Sequence, residues 1–268
     1  MNQSIDKVAV LGAGVMGAQI AGHFANAGIP GLLYDINQEL AQKGVDGLTK
    51  MKPAPLYKPK NADLVEACNY DEHLKKLNEV DLVIEAVAER LDIKHAVYNN
   101  IVPHLKESVI MTSNTSGIPL SDLISVLPDH LTKRFMITHF FNPPRYMRLL
   151  ELIKGPDTDE AVYEMIAEFG EDVLGKGIVH AKDTPNFIGN RIGVLGMSVT
   201  MNTAIKNGLT VEEVDKLTGT VIGRPKSATF RTADVVGLDT MINVSNTSYK
   251  NLPDDEEREE FKLSLIHI

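Results

Sequence analysis

Val8-Ala9-Val10-Leu11-Gly12-Ala13-Gly14-Val15-Met16-Gly17 carries four apolar residues straight into three glycines spaced G-x-G-x-x-G. Ala18 to Ala27 then reads as a helix closed by Gly28, so the order is strand, glycine turn, helix. Each glycine has its own reason. Gly12 permits the tight turn, Gly14 lets the backbone approach a pyrophosphate, and Gly17 lets helix and strand pack closely. The helix N-terminus, entered through Val15 and Met16, aims N–H groups at a phosphate. A second apolar segment, Gly31-Leu32-Leu33-Tyr34, ends in Asp35, twenty-three positions after Gly12. A carboxylate there can accept the ribose hydroxyls of a dinucleotide, and its charge repels a 2′-phosphate, which favours NAD over NADP. Gly31 inside that strand marks close backbone approach.

Outward from this unit the alternation continues. Asp81 to Val87 reads as a buried strand, Leu91 to Leu105 as a helix and Ser108 to Thr112 as the next strand. Strands alternating with helices imply an α/β fold with a doubly wound parallel sheet. Phe135 to Thr138 and Leu149 to Ile153 extend it, and a helix from about Asp159 to Leu174 starts after Asp157, with Glu160 at capping-box spacing. Between the second strand and Asp81, the proline-rich segment from Lys50 to Lys60 reads as a solvated loop carrying Lys50, Lys52, Lys58 and Lys60. After Asp183-Thr184-Pro185 the pattern turns helical, with a helix from Asn186 to Lys206 and a capping box at Thr210 and Glu213 opening another. The expected division is residues 1–182 and 183–268. The acidic segment from Asp254 to Glu260 reads as a solvated turn or helix start.

Composition narrows the function classes. The chain has 268 residues, 43% hydrophobic and 24% charged, as in a soluble globular protein with a sizeable core. Its net charge of −9 argues against nucleic acid, which needs a clustered basic surface. The single cysteine, Cys68, builds neither a disulfide framework nor a cysteine metal cage, and no metal site is expected. No apolar run approaches the ~18 residues of a membrane span. The segment from Lys7 to Ala25-Asn26-Ala27 imitates a secretory leader. The three glycines and the strand pattern account for the same residues better, so a cytoplasmic protein is expected.

Chemistry concentrates in three polar clusters. Thr138-His139-Phe140-Phe141-Asn142-Pro143 is followed, twelve positions after its histidine, by Glu151 within Leu149-Leu150-Glu151-Leu152-Ile153. A histidine ending one apolar segment and a carboxylate inside the next can meet as a base and its orienter. The other clusters are Ser113-Asn114-Thr115-Ser116-Gly117 and Asn186-Phe187-Ile188-Gly189-Asn190-Arg191. All three converge if each sits at a C-terminal strand end, where open α/β sheets bind ligands. The remaining histidines, His23, His73, His95, His104, His130, His180 and His267, read as surface or satisfied residues. Arg191 reads as structural, and Phe140 and Phe141 as core.

With these motifs in order, the chain resembles the L-3-hydroxyacyl-CoA dehydrogenases of fatty-acid β-oxidation, through GAGVMG, SNTSG, THFFNP, LLELI and KDTPNFIGNRI. The resemblance implies a Rossmann-like domain followed by a smaller helical one, NAD as cofactor and an acyl-CoA thioester as substrate. It implies that His139 takes the 3-hydroxyl proton, that Glu151 orients it, and that Ser116 and Asn190 hydrogen-bond the reacting oxygen. It places Asn142 in the substrate motif, and Glu89, Lys94 and Asn114 with Asp35 and the glycine loop as cofactor contacts. The segment from Gly223 to Asp239 resembles longer bacterial members in which a hydratase-like region follows. The family's closing segment is not matched, so the helical domain is expected to be incomplete, which puts activity and the family's homodimer in question. The region after Asp35 is also shorter than the arm many members use to contact CoA. Two other readings stand beside it. One is a member that binds NAD without turnover. The other is a hydrolase using Ser116, His139 and Glu151, which lacks a G-x-S-x-G elbow and leaves the glycine loop unexplained.

Overall fold

A computed structural model describes residues 4–262, in two compact units, Met1–Asp183 and Thr184–Ile268. The first unit is built on an eight-stranded sheet of order β3-β2-β1-β4-β5-β6-β7-β8. Its centre is β1 (Val8–Leu11), every residue of which is fully buried, between β2 (Gly31–Asp35) and β4 (Leu82–Glu85). Burial on both faces is why these strands are continuous apolar runs rather than alternating ones. Helices α1 (Val15–Asn26), α2 (Gln38–Gly47) and α3 (Leu91–Ile101) join the parallel strands β1, β2, β3 (Val65–Asn69), β4 and β5 (Ile110–Ser113). The chain first winds outward through β2 and β3, then returns to β4, so the winding reverses between β1 and β4. That reversal opens a crevice at their C-terminal ends, where Leu11 stands opposite Glu85.

Helices α4 (Leu120–Ile124) and α5 (Asp129–Thr132) lead to β6 (Phe135–Phe140), which pairs parallel with β5. At β7 (Leu149–Lys154) the parallel order gives way, because β7 runs antiparallel to β6. Only residues 141–148 connect them. A parallel crossover needs roughly a dozen or more residues, so this connection turns the chain straight back. Helix α6 (Glu160–Asp172) and β8 (Gly177–His180) complete the sheet. The N-cap of α6 is Asp159, whose carboxylate accepts the Ala161 N–H at 2.8 Å, in place of the Asp157 start expected from the sequence. Strands β3 and β8 and helix α2 were not anticipated. The two strands are sheet edges, short and partly polar, and edge strands are kept so to avoid further pairing.

Helix boundaries moved for local reasons. Helix α1 begins at Val15 rather than Ala18, straight out of the glycine turn, and Gly28, at φ +82°, ends it as expected. Helix α3 stops at Ile101, where Pro103 enters a single 3-10 turn. In the second unit, helix α7 (Gly189–Lys206) starts three residues later than the sequence suggests. Asn186 and Phe187 have φ of +60° and +48°, and the Asn186 amide donates to the Val244 carbonyl and Ser248 Oγ. The capping box at Thr210 and Glu213 forms at the start of α8 (Val211–Thr218). Together with α9 (Phe230–Val236) and α10 (Leu238–Asn251), α7 encloses a small core of Val194, Met201, Ala233, Met241, Val244 and Phe261. The acidic segment is partly structural: Asp255 pairs with Arg191, Asn202 donates to Glu260, and the 3-10 turn Arg258–Phe261 buries Phe261 in that core. His267 lies outside the described residues. Among the described residues, no helix is long and apolar enough to cross a membrane.

Candidate active site

The antiparallel turn between β6 and β7 sets His139 directly opposite Glu151 in register. His139 Nδ1 lies 2.7 Å from Glu151 Oε2, with the residues 5% and 0% exposed. A carboxylate can only accept, so in the neutral imidazole Nδ1 carries the hydrogen and Nε2 keeps the lone pair. The ring is further fixed by its neighbours. Phe141 packs with its centroid 4.6 Å from the imidazole, so it is a half-buried partner of His139 rather than core, whereas Phe140 is buried as expected. Thr138 donates to Thr112 Oγ1 at 2.8 Å, and Asn114 Oδ1 accepts the Phe140 N–H at 2.9 Å, tying the end of β6 to β5. Asn114 thus braces the histidine strand.

At the next strand, Glu89 gathers the turn after β5. Its Oε1 accepts Thr115 Oγ1 at 2.6 Å, the Ser116 N–H at 2.8 Å and, more weakly, Ser116 Oγ at 3.2 Å. Burial works to raise the Glu89 carboxyl, but the Lys94 charge and the donors on Thr115 and Ser116 outweigh it and hold it below its ordinary value. Lys94 is 1% exposed and lies between Glu85 at 2.7 Å and Glu89 at 3.2 Å. A hydrolytic triad would need Ser116 to address His139, whereas its hydroxyl donates to Glu89.

The glycine loop fits a dinucleotide. A Cβ on Gly17 would fall 1.8 Å from the Gly12 carbonyl oxygen, and one on Gly12, at φ +100°, 2.6 Å from the Ala86 carbonyl oxygen, so both are required by the protein's own packing. Gly14 differs. A Cβ there meets nothing within 4 Å, which leaves open space for a ligand to approach the backbone. Gly14 is also the N-cap of α1 without a side-chain cap, so the N–H groups of Val15, Met16 and Gly17 form an anion-binding first turn. Asp35 sits at the end of β2, its Oδ2 accepting the Ala13 N–H at 2.7 Å. Val15 and Ile36, at 60% and 68% exposure, offer apolar surface flanking the loop and Asp35. Gly44 of α2 lies against Ala13, where a Cβ would come within 2.9 Å, and so supports the loop from behind.

The connection between β6 and β7 is clamped on several sides. Asn142 Oδ1 accepts from Gln19 of α1 at 3.1 Å, so this asparagine anchors the loop to the first helix. Lys176, 5% exposed, donates to the carbonyls of Pro144 and Met147 and lies over the Phe140 ring; burial lowers its ammonium to about 8. Arg145, stacked against Tyr57 and Tyr146, donates to the Ala54 and Leu56 carbonyls at 2.7 Å each and so docks the proline-rich segment. Asn190 is the second residue of α7, in the other unit. Among the described residues no cluster of three or more His, Cys, Asp or Glu could hold a metal ion. Sequence reasoning missed Glu85, Gln19, Arg145 and Lys176. It also misjudged His23, which is buried with Nδ1 lacking a hydrogen-bond partner.

The family model of the 3-hydroxyacyl-CoA dehydrogenase NAD binding domain matches residues 7–184, and that of the 3-hydroxyacyl-CoA dehydrogenase C-terminal domain matches residues 187–265. A probable 3-hydroxyacyl-CoA dehydrogenase from Deinococcus radiodurans is 46% identical, across 94% of this chain and 75% of the relative. A second, from Bacillus subtilis, is 44% identical across 98% of this chain, which spans only 36% of that relative's length. Among solved structures, the (S)-3-hydroxybutyryl-CoA dehydrogenase PaaH1 from Ralstonia eutropha is similar with a TM-score of 0.82 at 29% identity, covering 98% of this chain and 92% of that one.

Proposed function

The chain belongs to the 3-hydroxyacyl-CoA dehydrogenase family of NAD-dependent oxidoreductases, and from that premise we propose that it oxidises L-3-hydroxyacyl-CoA to 3-ketoacyl-CoA in fatty-acid β-oxidation. The observation that carries the proposal is the His139–Glu151 pair, held at 2.7 Å at the crevice end of the sheet that also carries the glycine loop. Bound NAD would supply the hydride acceptor for C3 of the substrate. His139 Nε2 takes the proton of the 3-hydroxyl, a step in which a positioned base is worth about 100- to 10,000-fold. As the imidazole becomes cationic, the Glu151 carboxylate on Nδ1 stabilises that charge and keeps the ring aimed. Ser116 and Asn190 carry over from the resemblance as hydrogen-bond partners of the reacting oxygen. Asp35 receives the adenosine ribose, and Gly12, Gly14, Val15, Met16 and Gly17 cradle the pyrophosphate. Asn114 and Glu89 complete the cofactor side. Residues 1–182 are the cofactor domain and 183–268 the helical domain, which is proposed to pair in a cytoplasmic homodimer.

The test is to mix the purified chain with an L-3-hydroxyacyl-CoA series and NAD or NADP and follow reduced nicotinamide by absorbance. Oxidation with NAD, and little with NADP, is expected. NAD binding without oxidation of any chain length would favour the inactive reading, and thioester cleavage without redox change would favour the hydrolase.

A further inference from the structure

Glu85 ends β4 at the reversal of the sheet, opposite Leu11 on one side and Ser113 on the other. Its carboxylate is fully buried and receives four donors. Oε1 accepts the Val87 N–H at 2.8 Å and Lys94 Nζ at 2.7 Å; Oε2 accepts Tyr98 Oη at 2.9 Å and Ser113 Oγ at 2.7 Å. Lys94 then reaches Glu89 at 3.2 Å, which in turn holds Thr115 and Ser116. The turn closes on itself between these anchors. Ser113 Oγ accepts the Thr115 N–H at 3.1 Å, and Thr115 Oγ1 accepts the Ile118 N–H at 3.1 Å. The start of the turn therefore hangs on Glu85, its tip hangs on Glu89, and one buried ammonium joins the two carboxylates.

From this geometry we infer that Glu85 and Lys94 are positioning residues, a buried anion–cation bridge that fixes Glu89 and so sets where Ser116 presents its hydroxyl. The inference rests on the proposed dehydrogenase reading, in which Ser116 meets the reacting oxygen. Stability alone gives a weak reason for such a bridge. Desolvating two charges offsets most of their attraction, and a well-packed apolar pair commonly does as well. Geometric definition is what the bridge provides, because a carboxylate with every lone pair occupied has one arrangement. Burial and the Glu85 charge push the Tyr98 phenol well above its ordinary range, so it remains a donor to that carboxylate.

Lys94→Met alone leaves Glu85 buried without its cation and risks misfolding, so the informative variant is the pair Glu85→Gln/Lys94→Met, which removes both charges together. In this variant we expect kcat for L-3-hydroxyacyl-CoA oxidation to fall about tenfold or more while KM for NAD moves much less. On a Glu89→Gln background, where the Lys94–Glu89 ion pair is already lost, the same two changes should cost clearly less kcat than in the wild-type chain. The crystal structure of the Glu85→Gln/Lys94→Met variant, with Glu89 intact, should show the Ser113–Ile118 turn displaced and the Glu89–Ser116 contact broken. Retained kcat, additive losses on the Glu89→Gln background, or an undisplaced turn would each overturn the positioning role. If the wild-type chain oxidises no 3-hydroxyacyl-CoA at all, the proposed function fails, and the position of the turn in the paired variant decides the bridge's role by itself.

Discussion

Acidification should weaken the first unit through His23, by an amount that can be worked from its surroundings. The imidazole is 4% exposed on α1, with Nε2 3.1 Å from the Leu174 carbonyl and Nδ1 unpartnered. Burial and then the nearby Lys176 charge depress it from 6.5 to about 4, with the Leu174 carbonyl opposing them in part. Between those values the unfolded chain binds a proton that the folded chain refuses. Stability is therefore fully present above about pH 6.5 and is lost as pH falls towards the folded value. Each pH unit in that window costs about 1.4 kcal/mol, so going from pH 8 to pH 5 removes about 2 kcal/mol, and the full shift about 3 kcal/mol. Other groups titrate over the same range, so the measurement is a difference. Urea unfolding of wild type and His23→Gln is followed at several pH values by near-ultraviolet circular dichroism of tyrosine. Of seven tyrosines only Tyr249 lies in the second unit, so the signal reports on the first. Glutamine retains an N–H donor for the Leu174 carbonyl and does not titrate. The stability advantage of wild type should shrink by about 2 kcal/mol between pH 8 and pH 5. A pH-independent difference refutes the reasoning.

Three further outcomes follow from the site. Glu151→Gln should lower kcat about a hundredfold or more while NADH binding, read by fluorescence titration, stays near wild type; unchanged turnover would remove the orienting role. Asp35→Ser should weaken NAD about tenfold, equivalent to about 1.4 kcal/mol, and admit NADP; equal wild-type rates with both cofactors would end the ribose argument. Gly14→Ala and Gly17→Ala should part company, since the first Cβ meets open space and the second meets the Gly12 carbonyl at 1.8 Å. Gly14→Ala should therefore melt like wild type but bind NADH poorly, whereas Gly17→Ala should lose about 1–3 kcal/mol of stability or fail to fold. A large loss of melting temperature in Gly14→Ala would show that its openness was misread.

What could be read from the chain, and what could not, divides by how far each signal reaches. The glycine turn is local: Gly12 and Gly17 are glycine because backbone atoms nearby leave no room, and Asp35 follows at the length of one helix and one strand. The His139–Glu151 pair was readable for a related reason, although within the largely parallel sheet that was expected and formed, β7 alone runs antiparallel to its neighbour β6. With only residues 141–148 between β6 and β7, two strand residues twelve apart fall opposite each other, and the same short connection forces the antiparallel step. The Glu85 bridge needed contacts from β4, α3 and the end of β5 at once, and no spacing encodes that. Even so, the sequence held one clue to it. Glu85 interrupts an apolar strand buried on both faces, and a charge in that place must find a partner or leave the core. Lys94, one of the few lysines with a buried head, is the partner, set nine residues on by the first turn of α3. His23 went the other way. Its helical neighbours on α1 carry no charge and gave no sign that its ring would meet the Leu174 carbonyl, near the Lys176 charge, from the far end of the unit, so its depressed proton affinity belongs to tertiary packing alone.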